Sequence, residues 1–172
     1  AGAPTATAAW AGLRVLEVGC GLGGGARCLA ALLRPEAYVA TDFSPASVAV
    51  CRRWHEQLAR PLPVAYEAVD ATALDEAFAP DSFDLVLMVQ SAHAVVEAEK
   101  LCRGLSHVLR PGGALLLADH LKERRWNDLR QQLDAAGICC ERADDITPEV
   151  SEPHLLPPDM RYVAARFRRR TG

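Results

Sequence analysis

The stretch Leu16-Glu17-Val18-Gly19-Cys20-Gly21-Leu22-Gly23-Gly24-Gly25 limits the possible folds of this 172-residue chain more than any other segment. An apolar run ends at an acid, a glycine-rich turn follows at once, and helical spacing begins after it. Four of the five residues from Gly21 to Gly25 are glycine, more than a purely structural turn needs. Glycine takes positive φ and has no side chain, so such a turn lets a ligand lie against bare backbone. The spacing alone fits two patterns. Gly19, Gly21 and Gly24 satisfy G-x-G-x-x-G, and Glu17, Gly19, Gly21 and Gly23 satisfy E-x-G-x-G-x-G.

Glu17 separates the two. A pyrophosphate binds at a helix N-terminus because amide N–H groups and the helix dipole favour negative charge. A carboxylate at the mouth of that site would repel it. The same acid suits a ligand that carries an ammonium and a sulfonium, as S-adenosylmethionine (SAM) does. The motif therefore favours SAM over a dinucleotide, leaving a dehydrogenase as a distant reading.

A chain of 172 residues can bury one core without disulfides or metals, and half of its residues are hydrophobic. The net charge of −3 leaves no electrostatic footprint for nucleic acid or for an acidic membrane surface. Arg166, Arg168, Arg169 and Arg170 read as a solvated basic tail. Cys20, Cys28, Cys51, Cys102, Cys139 and Cys140 form no C-x-x-C pair and no zinc spacing, and most read as buried reduced thiols. With no signal-like or membrane-spanning stretch, the cytoplasm is the expected compartment and no membrane insertion is expected.

Residues 1–12 read as a poorly ordered lead-in to one domain over 13–172. Strands are expected over Leu13–Val18, Ala37–Ala40, Pro63–Ala68, Phe83–Val89, Ala114–Ala118, Ile138–Arg142 and Tyr162–Phe167. Helical patterns fall between most of them. Ser44-Pro45 starts one helix, and Pro111-Gly112-Gly113 stops another. This alternation predicts an α/β, doubly wound, Rossmann-like parallel sheet with helices on both faces. The segment Thr147–Met160 holds four prolines and no helical pattern, so the last two strands are expected as an antiparallel hairpin at the sheet edge.

In open α/β sheets ligands sit at the carboxyl ends of the strands. Four candidates fall there: the glycine turn, Asp42, Asp70-Ala71 and Gln90–His93. Asp42, about twenty residues past the turn, is placed to accept ribose hydroxyls, since Ser44 already fills the helix cap. Asp70 accepts the adenine amino group or caps a short helix, and the Ala71 amide serves a ring nitrogen. Phe43 packs on the adenine face or in the core.

Through Glu17–Gly23, Asp42, Asp70-Ala71, Phe83-Asp84 and Leu109-Arg110-Pro111-Gly112-Gly113, the chain resembles the class I SAM-dependent methyltransferases in register over about 13–150. Within that class it is most similar to small-molecule enzymes of the sterol, tocopherol and phthiotriol lipid type. The resemblance implies a seven-stranded sheet of order 3-2-1-4-5-7-6 with the last strand antiparallel. It also implies SAM as cofactor, held by Glu17, Gly19, Cys20, Gly21, Gly23, Asp42, Phe43, Asp70, Ala71 and Gln90. The acceptor is then a small molecule, a hydroxyl on a lipid-, sterol- or polyketide-like compound.

For a hydroxyl acceptor a base helps remove the proton, and His93 is first choice because related lipid enzymes carry a histidine at this place. The other reading of His93 is substrate binding or packing. His120, beside Asp119, is the reserve candidate, while His55, His107 and His154 read as surface or helix-face residues. No metal-ligand cluster is apparent, and neither the N/D-P-P-Y nor the Pro-Cys signature of DNA methyltransferases occurs. Related enzymes carry an N-terminal helical segment and capping insertions, which leaves Thr147–Met160 as the sizeable region available for a lid. An open minimal enzyme, a fragment of a longer enzyme, and a site completed by a partner or homo-oligomer all follow. A non-catalytic SAM-binding module shares every cofactor residue.

Overall fold

The computed structural model describes residues 11–150 and 156–171. Residues 1–10 of the lead-in expected over 1–12, and His154, lie outside the described residues. Alternating elements run in the order β1 (Arg14–Val18), α1 (Gly24–Leu33), β2 (Ala37–Asp42), α2 (Pro45–Glu56), β3 (Val64–Ala68), α3 (Leu74–Ala77) and β4 (Phe83–Val89). They continue through α4 (Ala98–Val108), β5 (Leu109–Lys122), α5 (Glu123–Ala135), β6 (Ile138–Asp145) and β7 (Met160–Arg169). The sheet has seven strands in the order β3-β2-β1-β4-β5-β7-β6, as the resemblance implied. The first five strands pair in parallel, and β7 is antiparallel to both β5 and β6.

The pleat sends alternate residues to two cores. Leu16, Val18, Val86 and Met88 enter the one packed by α4 and α5 residues such as Leu101, Leu105 and Leu129. Val15, Leu85 and Leu87 enter the other, with Ala26 and Ala30 of α1 and Val48 and Cys51 of α2. Ser44 caps α2 as expected, its Oγ accepting the Ser47 N–H at 3.2 Å.

Several expectations are corrected. β5 begins at Leu109, not Ala114, because Leu109 pairs with Phe83 before a bulge carries the register to Leu85 and Ala114. A 3-10 turn over Thr147–Glu149 occupies part of the segment read as lacking helical pattern. The C-terminal arginines are not a solvated tail. Arg166 and Arg168 on β7 pair with Glu141 on β6, Arg169 with Asp81, and Arg170 with Asp134. These partners on β6, on α5 and in the turn before β4 are far apart in sequence, so the cluster reads as a charge run until the fold forms. Of the six cysteines only Cys20, Cys51 and Cys102 are buried, and all six are unpaired.

Candidate active site

β1 and β4 lie side by side at the centre of the sheet, and β5 adjoins β4. Their carboxyl ends open onto a cavity of about 490 Å³, within the usual size for small-molecule sites. Gly19, Gly21, Asp42, Phe43, Asp70, Ala71 and Gln90 line it, together with Ser91, Val95 and Val96. Seven of the ten cofactor residues proposed from the sequence therefore share one wall system. Glu17, Cys20 and Gly23 do not line it.

The pleat explains Glu17. It follows Val15 on the same face of β1, so its side chain enters the α1/α2 side, beneath the glycine turn. There it is 5% exposed, and Tyr38 Oη donates to its Oε2 at 2.8 Å. Burial pushes the Glu17 carboxyl above the ordinary 4.5, while the Tyr38 hydrogen bond opposes the shift. Glu17 thus sits behind the loop, and the acids on the cavity wall include Asp42 and Asp70. A raised folded-state pKa stabilises the fold below pH 4.5 and loses that contribution as pH climbs through the folded value. Urea unfolding of the ligand-free protein from about pH 5 to 8 should show this decline in wild type and a flatter profile in Glu17→Gln. Parallel profiles would remove Glu17 as its source.

Asp42 organises the turn as well as lining the cavity. Its Oδ2 accepts the Gly21 N–H at 2.9 Å and its Oδ1 the Ser44 N–H at 3.0 Å. Each oxygen keeps a further acceptor site for a ligand hydroxyl. Asp70 does not cap α3, whose N-cap is Ala73. Its Oδ1 instead accepts the Thr72 N–H and Oγ–H, both at 2.8 Å. These bonds, the backbone one first, hold its carboxyl below the ordinary range. Phe43 is no core residue: it is 77% exposed at the cavity rim.

Beside the cavity, a 3-10 turn over Ala92–Ala94 carries His93 between two lining residues, Ser91 and Ala94. His93 Nδ1 is 2.8 Å from Asp119 Oδ1, and the His93 backbone N–H donates to Oδ2 at 3.0 Å. Asp119 is fully buried and also accepts the His120 N–H at 2.7 Å. A carboxylate oxygen accepts, so His93 Nδ1 carries the proton and the lone pair sits on Nε2. Asp119 as an orienting partner was missed from sequence, although a charged residue ending the apolar run 114–118 was a visible signal. Gln90, with φ of +55°, is held in the left-handed region that a non-glycine residue rarely adopts.

The other histidines are placed differently. His107 Nε2 lies 3.0 Å from the Phe78 carbonyl, and His55 packs edge-on against Tyr66. Both sit on helix faces rather than near the cavity.

The family described as a methyltransferase domain matches residues 15–113. The Mycobacterium ulcerans protein named Probable phthiotriol/phenolphthiotriol dimycocerosates methyltransferase 2 is 40% identical over 127 residues, covering 74% of this chain and 47% of that protein. A fatty-acid O-methyltransferase of Mycolicibacterium smegmatis is 40% identical over 108 residues, covering 63% of this chain and 37% of that protein. The chain spans less than half the length of these curated relatives. In fold, the chain is similar to geranyl diphosphate C-methyltransferase of Streptomyces coelicolor, solved with Mg2+, geranyl diphosphate and S-adenosyl-L-homocysteine. That likeness has a TM-score of 0.79 at 15% identity, over 92% of this chain and 75% of that one.

Proposed function

This chain belongs to the SAM-dependent methyltransferases, and from that premise we propose that it transfers the SAM methyl group to an oxygen of a lipid-like small molecule. The supporting observation is the cavity at the carboxyl ends of β1, β2 and β4, with an oriented histidine beside it. Asp42 and Asp70 on the wall give the glycine loop the acidic surroundings that suit a cationic ligand. Asp42 then takes the ribose hydroxyls, and Asp70 and Ala71 take the adenine edge. Gly19, Cys20, Gly21 and Gly23 set the backbone against the cofactor, with Gln90 and Phe43 closing the sides. Residues 13–172 act in this as one domain.

SAM already carries the activated methyl group and its leaving group, so the protein's share is positioning and exclusion of water. The acceptor oxygen attacks the methyl carbon as the carbon–sulfur bond breaks. For a hydroxyl acceptor, His93 Nε2 takes the departing proton, while Asp119 holds the ring and stabilises the imidazolium. The exposed side chains of Phe43 and Val96 at the cavity mouth offer an apolar surface to an alkyl chain. Both curated relatives named above have lipid acceptors in their names. A reducing compartment such as the cytoplasm suits six unpaired cysteines.

Calorimetry with S-adenosylhomocysteine, followed by labelled-methyl transfer to long-chain alcohols and fatty acids, tests the proposal. Labelled ether or ester product supports it. Cofactor binding with no transfer to either acceptor makes the chain a binding module, and no binding by folded protein ends the SAM reading. Asp42→Asn should weaken S-adenosylhomocysteine by about ten-fold or more, since hydrogen bonds to a charged group are worth roughly 1.5–3 kcal/mol. Equal affinity would exclude Asp42 from the ribose role.

A further inference from the structure

The ends of β4 and β5 bring four donor atoms to one point. His93 Nδ1 lies 2.8 Å and His120 Nδ1 3.4 Å from the same oxygen, Asp119 Oδ1. His120 Nδ1 is also 2.7 Å from Gln90 Oε1. The donor atoms of His93, Asp119 and His120 all fall within 4.8 Å of one another, and the two imidazole rings are 4.3 Å apart. Donors held about 2.0–2.2 Å from a zinc ion stand roughly 3.0–3.5 Å from each other, so only small side-chain adjustments separate this cluster from a coordination shell.

We propose that this cluster binds a divalent transition cation of the zinc type. His93 Nδ1, His120 Nδ1 and Asp119 Oδ1 are its ligands, and Gln90 Oε1 is the fourth neighbour. Two imidazoles with a single carboxylate select zinc, cobalt or nickel over magnesium and calcium, which call for oxygen donors. The support around the ligands is already built. The backbone N–H groups of His93 and His120 fix the fully buried Asp119 carboxylate, as outer hydrogen bonds orient ligands in metal sites. The two side chains that must admit the ion, His93 and His120, are 38% and 26% exposed, which leaves it an entry path.

Binding also moves a proton. Without metal, each Nδ1–H faces an acceptor oxygen and Nε2 holds the lone pair. With the metal on Nδ1, the single ring proton transfers through water to Nε2. Resting on the reading of His93 as base, the metal-loaded protein then has no lone pair to offer the acceptor hydroxyl, so the ion is an inhibitor.

Cobalt(II) titration of the whole chain, free of chelator and without SAM, tests the site directly. One equivalent should bind, with the visible d–d bands of nitrogen- and oxygen-ligated cobalt. Zinc should displace it. His120→Ala and His93→Ala, each checked for native circular dichroism, should each weaken cobalt by at least ten-fold, because even an outer hydrogen-bond partner is worth about 10–100-fold. Folded wild type that takes up no cobalt overturns the proposal. So does an intense near-ultraviolet thiolate-to-cobalt band, which would put the metal on cysteine, or unchanged affinity in both variants. S-adenosylhomocysteine calorimetry on the same samples reads the cofactor site separately, so either reading can fail alone.

Discussion

His93→Ala is expected to lower the rate of methyl transfer to a hydroxyl acceptor by about 10²–10⁴-fold, the usual contribution of a positioned base. S-adenosylhomocysteine affinity should stay within a few-fold of wild type, because His93 does not line the cavity proposed for the cofactor. The acceptor decides how far this loss extends. A fatty acid is ionised near neutral pH, its carboxyl titrating at about 4–5 like other carboxylic acids. It needs no base, so His93→Ala should leave transfer to a carboxylate acceptor close to wild type while nearly abolishing transfer to an alcohol. Single-turnover measurements with one acceptor of each kind separate the cases. An equal loss with both would make His93 a positioning residue, and no loss with the alcohol would remove it from the chemistry. Asp119→Asn should reproduce much of the alcohol-specific loss, since an amide cannot stabilise the imidazolium that forms.

Gly19→Ala is expected to damage both the fold and the cofactor site. Gly19 sits at φ +83°, and an added Cβ would lie 2.3 Å from Ser91 Cβ. Ser91 cannot withdraw freely, because its Oγ donates to the Val18 carbonyl at 2.6 Å and ties the β4 loop to the end of β1. The left-handed conformation costs a non-glycine residue about 1–2 kcal/mol, and forced overpacking adds about 1–3 kcal/mol. The sum, roughly 2–5 kcal/mol, is a large part of the stability of about 5–15 kcal/mol typical of a domain. Urea unfolding should register it as a lower midpoint at unchanged slope, and S-adenosylhomocysteine binding should fall as Gly19 leaves the cavity wall. Gly21→Ala is the internal comparison. Its φ is +55° but an added Cβ meets nothing within 4 Å, so only the conformational cost applies. In the Gly19→Ala background, Ser91→Gly should recover the steric part and leave the φ strain. If Gly19→Ala is no worse than Gly21→Ala, the close approach of Gly19 to Ser91 does not constrain the loop.

Much of the fold was legible because the signals are local. The run Phe83–Val89 is apolar but for Asp84 and bounded by polar residues, and the strand occupies those positions. Ser44-Pro45 announces a helix start through chemistry confined to four residues. β5 was misjudged for the opposite reason. Arg110 to Gly113 look like a terminator, yet Leu109 already pairs with Phe83 and the glycines fill a bulge. The basic C-terminal stretch misled in the same way, since Glu141, Asp81 and Asp134 become its partners only once the sheet and the segments flanking it have assembled.

The site divides along the same line. By itself, the sequence determined that a glycine turn follows a central strand, that Asp42 and Asp70 end the next two, and that a histidine follows the fourth. Parallel strands bring their carboxyl ends to one edge, so those residues had to meet. Only the tertiary structure decided the direction of each side chain. The pleat turned Glu17 behind the loop and left Asp42 and Asp70 on the cavity wall. The adjacency of β4 and β5 delivered Asp119 to His93 and set His120 beside both. A strand's facing depends on register with its neighbours, and register is a property of the assembled sheet.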